Sequence, residues 1–311
     1  MDRPTVTIAI PVLNEADAIE ACLDAVANQT YEAIVEVLVV DGGSTDATRS
    51  LASAVPGVRV LDNPRRIQAA ALNIALAEAK GEVFARVDGH CLIAPDYIER
   101  CVDALQTTGA ALVGGAMTPV ATQPFQRGAA AAMSSRFGAG PARFHTGGAS
   151  GPVDTVYLGA FATELGRDVG GYAEDMAVNE DAELAVRIRR RGPVWFDNGI
   201  RSTYAPRRTP KAVARQFYRY GVFRAATVRK HPASLAGRQL AAPLLVLGLV
   251  SPKRRTVAAA YLTAVVMRSA IEGRRDPMTG LAMAVAVPTM HLCWGVGFLR
   301  GLIRRPHRGS G

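Results

Sequence analysis

Acidic and metal-binding side chains follow apolar runs at two places in the first hundred residues. Asp41 comes directly after Val35–Val40. Asp88 and His90, with one glycine between them, come directly after Val83–Val87. A carboxylate at a strand end can accept hydrogen bonds from ribose hydroxyls or from a base N–H. Alternate positions of an extended segment face the same way, so Asp88 and His90 could both reach one divalent ion and the diphosphate that it neutralises.

The imidazole of His90 bears on which metal such a site would prefer. Imidazole is a softer ligand than a carboxylate, so a carboxylate with an imidazole suits Mn²⁺ better than Mg²⁺. The plain alternative for His90 is an ordinary loop histidine. The plain alternative for residues 41–46 is a strand-turn-helix junction in which Ser44 and Asp46 cap the next helix, which explains Asp41 less well.

A third acidic group opens a predicted helix further along the chain. Glu180, Asp181 and Glu183 lie in its first turn, and arginines lie in its last turn. The helix dipole favours this order of charges by itself. Three acids in so short a stretch nevertheless exceed what capping requires, and one of them could be a general base that deprotonates an acceptor hydroxyl.

The elements that must position these residues alternate along the first half of the chain. β-branched runs alternate with helix-like stretches, which predicts βαβ units and a mostly parallel sheet. Ligands of such sheets bind at the carboxyl ends of the strands, where Asn14 and Glu15 also lie. The predicted strands are Thr5–Val12, Val35–Val40, Val58–Leu61 and Val83–Val87, and the predicted helices are Ala16–Asn28, Thr45–Ala54, Ile67–Ala79 and Pro95–Thr108.

The pattern is less regular after about residue 130. Gly138–Gly151 is rich in Gly, Ala and Ser, and it is interpreted either as a mobile loop that folds over a bound substrate or as a linker. The elements predicted after it are a strand at Thr155–Leu158, a helix at Asn179–Arg191, a short strand near Val194–Phe196 and a basic amphipathic helix at Pro210–Lys230.

The last third of the chain has a different composition. Residues 1–200 hold 16 Lys/Arg and 25 Asp/Glu, whereas residues 201–311 hold 20 and 2. Three apolar runs lie in this basic part, at Leu240–Val250, Thr256–Met267 and Thr279–Leu299. At 1.5 Å per residue only the third reaches roughly 30 Å, the thickness of a bilayer core. We expect the third run to span a membrane and the shorter pair to form a re-entrant or interfacial hairpin, with a buried core hairpin as the alternative.

This division predicts two regions with different partners. We expect a catalytic α/β domain over residues 1–234 and a basic, membrane-associating helical region over residues 235–311. The basic residues are interleaved with apolar runs rather than with stacking aromatics, which favours membrane lipids and argues against nucleic acid. Basic residues border every apolar run, so the positive-inside rule selects no orientation.

Composition and missing motifs exclude several classes. A 311-residue chain that is 49% hydrophobic can bury a large core, which excludes a disordered or fibrous protein. Its four cysteines form no Cys-x-x-Cys pair, which argues against a zinc ribbon or a disulfide framework. No basic-then-apolar leader precedes Thr5, so we expect the N-terminal domain to stay in the cytosol. The first strand is followed by no Gly-x-Gly-x-x-Gly, which argues against a dehydrogenase.

Four motifs, in their order and spacing, resemble those of glycosyltransferase family 2. They read Pro-Val-Leu-Asn-Glu at 11–15, Val-Asp-Gly-Gly-Ser-Thr-Asp at 40–46, Arg-Val-Asp-Gly-His at 86–90 and Asn-Glu-Asp-Ala-Glu-Leu at 179–184. Asp-Gly-His in place of Asp-x-Asp, and the closing segment His291–Phe298, look like the membrane-associated exopolysaccharide branch typified by the succinoglycan β-glucosyltransferase. The resemblance covers essentially the full chain.

The resemblance implies a fold and a reaction. The fold is GT-A, a Rossmann-like nucleotide-diphospho-sugar transferase domain, followed here by the hydrophobic helical tail. The reaction is inverting transfer of a sugar from a nucleotide diphosphate sugar, expected to be a UDP-hexose, to a hydroxyl of a lipid-linked or polysaccharide acceptor. We expect it to occur at the cell membrane, with the catalytic domain on the cytosolic side and a divalent metal, Mn²⁺ or Mg²⁺, as cofactor.

The resemblance also implies roles for individual residues. The metal and diphosphate position matches Asp88 and His90, and the catalytic base matches Asp181, beside Glu180. The departure at His90 bears on metal affinity and preference. The donor nucleotide is expected to contact Pro11, Val12, Asn14, Glu15, Asp41 and Asp88.

A further segment is similar to the Gln-x-x-Arg-Trp element of processive synthases. It contains Gln216 and Arg219 but ends in Tyr220, so it gives little support for chain elongation. We expect Arg219 to lie near the diphosphate or an acceptor phosphate, against the alternative of a solvated helix face.

Two alternatives to this function remain. A polyprenyl-phosphate sugar synthase would use the same donor site, but Glu180 and Asp181 would repel its phosphate acceptor. A catalytically inactive scaffold of a polysaccharide assembly complex has only His90 in its favour.

Overall fold

The computed structural model describes residues 3–303. The chain divides into two compact units. The first unit contains the residues up to 118 together with 147–204, and the second contains 119–146 together with those from 205 onward. This division does not fall at the boundary expected between residues 234 and 235. The extent of the catalytic domain therefore stays a prediction.

The first unit begins with four parallel strands joined by helices. Their spatial order is β3-β2-β1-β4. Every residue of β1 is buried, as expected for a parallel strand that is covered on both faces. The strands are β1 (Val6–Val12), β2 (Ile34–Asp41), β3 (Val58–Asp62) and β4 (Val83–Arg86), and the helices are α1 (Ile19–Ala27), α2 (Thr48–Ser53) and α3 (Gln68–Glu78). The predicted βαβ alternation is thus confirmed for this part of the chain.

The remainder of the sheet is not parallel. The order continues β4-β8-β6-β9-β5, with β7 also paired to β9. β8 is antiparallel to both β4 and β6, and β9 is antiparallel to both β5 and β7. These strands are β5 (Leu92–Ile93), β6 (Leu112–Pro119), β7 (Gly151–Pro152), β8 (Tyr157–Ala162) and β9 (Val194–Tyr204). The expectation of a mostly parallel sheet is therefore wrong for the second half of the sheet.

Strand β9 is much longer than the short strand predicted near Val194–Phe196. The prediction stopped there because Asp197, Asn198 and Gly199 have the composition of a turn. In the structure this tripeptide stays within the strand, and the Asp197 carboxylate accepts the Gly199 N–H at 2.7 Å.

Hydrophobic clusters cover both faces of the sheet. Ile8 and Ile10 point to one face and Ala9 to the other, as successive strand residues must. Helix α3 contributes Leu72 and Ala75 to the cluster that contains Ala9. The remaining helices of this unit are α4 (Tyr97–Thr108), α8 (Thr163–Asp168) and α9 (Glu180–Ile188).

The second unit is helical. Two short helices, α6 (Arg136–Ala139) and α7 (Arg143–Thr146), interrupt the segment Gly138–Gly151, and its interpretation as a mobile loop or a linker stays a prediction. Gly138 itself is buried. The helices of this unit are α5 (Pro124–Met133), α6 (Arg136–Ala139), α7 (Arg143–Thr146), α10 (Pro210–Lys230), α11 (Ala241–Val250), α12 (Arg254–Gly273) and α13 (Pro277–Ile303).

The three apolar runs of the tail all form helices, α11 to α13. In residues 3–303 only α13 is long and apolar enough to cross a membrane, with 27 residues and a mean hydropathy of 1.5 over its most apolar window. This agrees with the expectation that only the third run is long enough. Within that window 39% is buried inside the protein, because α13 is the helix against which α5, α10, α11 and α12 pack.

Candidate active site

A cleft opens at the carboxyl ends of the parallel strands. Its volume is about 180 Å³. It brings together five of the predicted donor and metal residues from β1, β4 and the turns that follow them. The lining residues are Pro11, Val12, Leu13, Glu15, Gly42, Asn63, Arg66, Ile67, Gln68, Ala71, Asp88 and His90. Ligand binding at this edge is what a parallel sheet predicts.

Asp41 and Asn14 tie together the loops after β1 and β2. Asp41 is buried, and its Oδ1 accepts the Ser44 N–H at 3.0 Å and the Ser44 hydroxyl at 2.6 Å. The same hydroxyl accepts the Asn14 N–H at 2.9 Å, and the Asn14 Oδ1 accepts the Thr45 N–H at 2.8 Å. Ser44 is therefore not a helix cap. It fixes the carboxylate of Asp41, whose role as a nucleotide ligand stays a prediction.

Asp46 supports the start of α2 and the loop after β1. Its carboxylate accepts the N–H and hydroxyl of Thr48, the first residue of the helix, and also the Ala16 N–H. The bond from the Thr48 hydroxyl is the main reason that the pKa of Asp46 is lowered. The N-cap position of α2 is occupied by Ala47, and Asp46 lies one position before it. Asp46, predicted as the cap, therefore accepts the first helical N–H from outside the N-cap position.

The turn Asp88-Gly89-His90 lies directly against the end of β1. A Cβ on Gly89 would come within 2.7 Å of the Val12 Cγ1 and 3.5 Å of the Glu15 Cγ. Any larger residue would therefore have to displace the Val12 side chain. The close approach also brings the His90 Nδ1 to 2.9 Å from the Glu15 Oε1. If Nδ1 donates to that carboxylate, the neutral ring has its lone pair on Nε2, the nitrogen that could then bind a metal.

Buried charges form a cluster beneath this turn. Arg86, at the end of β4, donates from Nε to the Asp88 Oδ1 at 2.8 Å and from Nη1 to the Glu180 Oε1 at 2.9 Å. Gln68 donates to the same oxygen of Asp88 at 3.1 Å. Burial disfavours the charged form of Arg86, but Asp88 and Glu180 outweigh it and hold the pKa of Arg86 well above its usual range. The guanidinium thereby fixes two predicted site carboxylates relative to each other.

The two acids at the start of α9 differ in how available they are. Glu180 is almost fully buried and is ion-paired with Arg86, whereas Asp181 is only partly buried. Burial raises the pKa of Asp181 above its ordinary value, against the opposing effect of Arg86. Burial likewise raises the pKa of Glu180, again opposed by Arg86. Asp181 is therefore the better placed of the two to exchange a proton with a ligand.

Left-handed backbone conformations occur around the same cleft. Among non-glycine residues of the described chain, Asn14, Arg66, Leu158 and Asn179 have φ between 56° and 61°. Asn14 and Arg66 belong to or adjoin the lining, and Asn179 immediately precedes the two acids of α9. Such strained conformations persist where surrounding structure determines them, and they are common at functional sites.

Sequence reasoning did not identify several residues of this site. Arg86 was visible as the one charge in the apolar run from 83 to 87, two residues before Asp88. Asn63, Arg66 and Gln68 gave no signal, because they reach the cleft only when α3 is placed against the sheet.

Asp88 and His90 could hold a metal ion only if the substrate supplied further ligands. In the part of the chain described, no three His, Cys, Asp or Glu side chains are grouped so as to hold a metal ion. Asp88 and His90 nevertheless line one cleft and provide one oxygen and one nitrogen ligand type. A divalent ion in a nucleotide site commonly takes one or two protein ligands and completes its shell with phosphate oxygens and water.

Gln216, Arg219 and Tyr220 lie on α10, in the second unit. Gln216 Nε2 donates to the Tyr220 hydroxyl at 2.9 Å, and the Tyr220 ring packs edge-on against Phe217. The expected contact of these residues with a diphosphate or an acceptor stays a prediction.

Comparisons with known proteins agree with this geometry. The family model for glycosyl transferase family 2 matches residues 7–161. The chain is 35% identical to the succinoglycan biosynthesis protein ExoA of Rhizobium meliloti (strain 1021), over 95% of this chain and 94% of ExoA.

Two solved structures are similar in fold. The mannosyltransferase PcManGT from Pyrobaculum calidifontis, in complex with GDP-Man and Mn²⁺, has a TM-score of 0.63 at 24% identity, over 97% of this chain and 88% of PcManGT. S. aureus TarS in complex with UDP has a TM-score of 0.53 at 15% identity, over 93% of this chain and 90% of TarS. The predicted fold class, an α/β GT-A domain, is confirmed by these matches.

Proposed function

The chain belongs to glycosyltransferase family 2, and from this premise we propose that it transfers a sugar, with inversion, from a nucleotide diphosphate sugar to a hydroxyl of a lipid-linked or polysaccharide acceptor. The observation that carries the proposal is the buried cluster in which Arg86 joins Asp88, which lines the polar cleft, to Glu180 at the start of α9. We propose that Asp88 acts on the diphosphate side of this cluster and that Glu180 and Asp181 lie on the acceptor side.

The donor is proposed to occupy the cleft of the first unit. Pro11, Val12 and Glu15 line its β1 side, and Asp41, the last residue of β2, precedes the lining residue Gly42. PcManGT is described with GDP-Man and TarS with UDP, so a nucleoside diphosphate is the shared ligand class of the similar structures. We propose a UDP-hexose for this chain.

A divalent ion, Mn²⁺ or Mg²⁺, would be held by Asp88 and His90 and would stabilise the negative charge of the departing diphosphate. Arg86 orients the Asp88 carboxylate through the hydrogen bond from its Nε. Glu15, through its contact with the His90 Nδ1, orients the imidazole. Arg66 lines the same cleft and adds positive charge near the phosphates.

The base is proposed to be Asp181. The acceptor oxygen attacks the anomeric carbon as the bond between that carbon and the diphosphate oxygen breaks. The electron pair of the broken bond leaves with the diphosphate. The acceptor proton passes to the Asp181 carboxylate, whose raised pKa suits that transfer. Glu180 already accepts a hydrogen bond from Arg86, so its role is to hold the guanidinium.

The second unit is proposed to bring the enzyme to the cell membrane. It exposes large apolar side chains on α11, α12 and α13, and the sequence from 201 onward is strongly basic. Basic segments are attracted to the anionic cytoplasmic leaflet, which supports a catalytic unit on the cytosolic side.

The test uses membranes that contain the full chain. They are incubated with a panel of labelled nucleotide sugars, with and without Mn²⁺, and the label in the lipid extract is counted. One sugar should move into lipid in a metal-dependent way, and membranes holding Asp181→Asn should transfer none above background. Absence of transfer or hydrolysis with every nucleotide sugar would contradict the proposal and favour an inactive scaffold.

A further inference from the structure

Other helices pack against both halves of α13. This is the one helix of the described chain that is long and apolar enough to span a membrane. Near its C-terminal end the backbone approaches α10 so closely that a Cβ on Gly221 would collide with the Trp294 carbonyl and a Cβ on Gly297 with the Tyr218 carbonyl. Near its N-terminal end α5 comes equally close, because a Cβ on Gly128 would collide with Ala282.

The helix beside the C-terminal half of α13 is rich in cations. Along α10 the Arg229 guanidinium donates to the Gly301 carbonyl of α13, and Arg224 donates to the Ser234 carbonyl just after α10. If α13 crossed a bilayer, α10 would be carried to the depth of the hydrocarbon with these charges. The Lys and Arg residues of α10 are Lys211, Arg215, Arg219, Arg224, Arg229 and Lys230. A charged side chain at that depth is strongly unfavourable, and six on one helix are incompatible with a lipid-facing position.

Charged groups also hold the N-terminal end of α13 in place. Asp276, directly before the helix, accepts the Thr279 hydroxyl at 2.6 Å and lies 3.7 Å from the Arg127 guanidinium of α5. The start of α13 is thus joined by an ion pair to the first turn of α5. Both ends of α13 are held by charged neighbours of the same unit.

The side of these helices that no protein covers is apolar, with basic residues at its margins. Leu247 is 48% exposed, Val266 62% and Leu281 66%. Exposed basic residues lie at the ends of α12, which begins after Lys253 and ends before Arg275. The exposed large hydrophobic residues of α11 to α13 are Leu244, Leu247, Val250, Leu262, Val266, Met267, Ile271, Met278, Leu281, Val285, Val296, Leu302 and Ile303.

From these observations we infer that the second unit is monotopic: the exposed apolar face of α11–α13 enters one leaflet of an anionic membrane, and α13 lies in that leaflet without crossing it. The exposed apolar side chains enter the acyl region of the leaflet, and the basic residues at the ends of α12 pair with anionic headgroups. A second copy of this chain is a poor occupant of the face, because residues 201–311 hold 20 Lys/Arg against 2 Asp/Glu and would repel each other.

This inference deepens the membrane localisation of the proposed function and replaces the expectation that Thr279–Leu299 spans. Length and composition alone predicted a span. The structure adds the charged neighbours that a sequence does not reveal. Its consequence is topological, since residues before and after α13 must lie on the same side of the membrane.

The test places single cysteines on the full chain in a Cys293→Ser background. Arg275→Cys lies before α13, Arg304→Cys directly follows α13 in the sequence, and Lys211→Cys on α10 is the reference. Sealed inverted membrane vesicles are treated with a membrane-impermeant maleimide before and after detergent. A monotopic unit predicts that all three cysteines react to the same extent without detergent. Protection of either position 275 or position 304 alone until detergent is added would overturn the inference.

A matched pair of variants tests the apolar face. Val285 on α13 and Val35 in the first unit are each 50% exposed. Val285→Glu should weaken binding of the full chain to vesicles of phosphatidylglycerol by about tenfold, whereas Val35→Glu should leave it unchanged. Equal binding by both variants, or a soluble dimer that binds no vesicles, would overturn the inference. Neither result depends on sugar transfer, so failure of the proposed function would be seen separately.

Discussion

The polar edge of the first unit and the helices of the second unit differ in whether their charged side chains are buried and paired or exposed. At the edge of the sheet, Arg86, Asp88 and Glu180 are buried and paired at fixed distances. In the second unit the basic residues at the ends of α12 are exposed, next to exposed apolar side chains. Buried pairs orient groups, whereas exposed cations provide attraction that is non-directional and screened by salt.

This difference indicates what each region can do. A buried guanidinium that joins two carboxylates suits chemistry in which donor and acceptor groups must be placed to a fraction of an ångström. A basic surface with apolar side chains suits adhesion to a fluid lipid surface. Changes at the edge should therefore have large effects on turnover or folding, and changes in the helices should have small effects on either.

The largest effect on turnover is expected at Asp181. Asp181→Asn removes the proposed base and keeps its shape, so turnover should fall by about 10²- to 10⁴-fold. Donor affinity should be nearly unchanged, because the base acts only in the transition state. Steady-state rates and nucleotide titration measure the two quantities, with the exposed Asp168→Asn as control. Equal turnover in mutant and parent would remove Asp181 from the mechanism.

The largest effect on stability is expected at Arg86. Arg86→Met leaves Asp88 and Glu180 as buried carboxylates without their cation, which should lower the free energy of unfolding by about 3–5 kcal/mol. Arg59, 41% exposed at its side chain and paired with Glu36 and Glu78, is the matched control. Arg59→Met should cost no more than about 1 kcal/mol. Denaturant unfolding of both variants would contradict the account if their losses were alike.

Asp41 should affect donor binding before turnover. Loss of a hydrogen bond to a charged group is expected to weaken nucleoside diphosphate affinity by about 10- to 100-fold in Asp41→Ala. Asp62→Ala is the control, because Asp62 pairs with the same Arg49 but is exposed. Calorimetric titration of the full chain with UDP and GDP measures the change. Unchanged affinity would show that Asp41 only shapes its turn.

The pH dependence of turnover should reflect the buried setting of the base. Burial raises the pKa of Asp181, and the base must be deprotonated to act. Activity should therefore be lost as pH falls through a pKa above the value of about 3.9 that is ordinary for Asp. Since Arg86 opposes this rise, Arg86→Lys should keep the acid limb of the rate profile near that of the parent. An acid limb at or below 3.9 would argue against a buried base.

The smallest effect on turnover is expected at His90, the proposed metal ligand. His90→Asp should keep activity and shift the preference from Mn²⁺ toward Mg²⁺, because a carboxylate replaces the softer imidazole. His90→Ala should need more metal for half-maximal rate. Metal titrations of initial rate distinguish these outcomes. If both variants respond to metals as the parent does, His90 is not a ligand.

The sequence predicted the parts of the molecule in which local pattern decides structure. The strands and helices from β1 to α4 and the polar residues at the strand ends follow from alternation and from turn chemistry. The pairing of Arg86 with Glu180 could not be predicted, because it joins residues 94 positions apart. The same holds for Gly128 and α13, since periodicity shows that a helix has an apolar face but not what covers it.

The anomeric configuration of the product distinguishes direct displacement at the sugar from a two-step mechanism. The proposed mechanism uses one base, Asp181, and direct displacement of the diphosphate, with no carboxylate nucleophile. The lipid product formed from the active nucleotide sugar would be examined by NMR at its new glycosidic bond. Direct displacement gives a new bond with the configuration opposite to that of the donor. A bond with the donor's configuration would require a second displacement step and would contradict it.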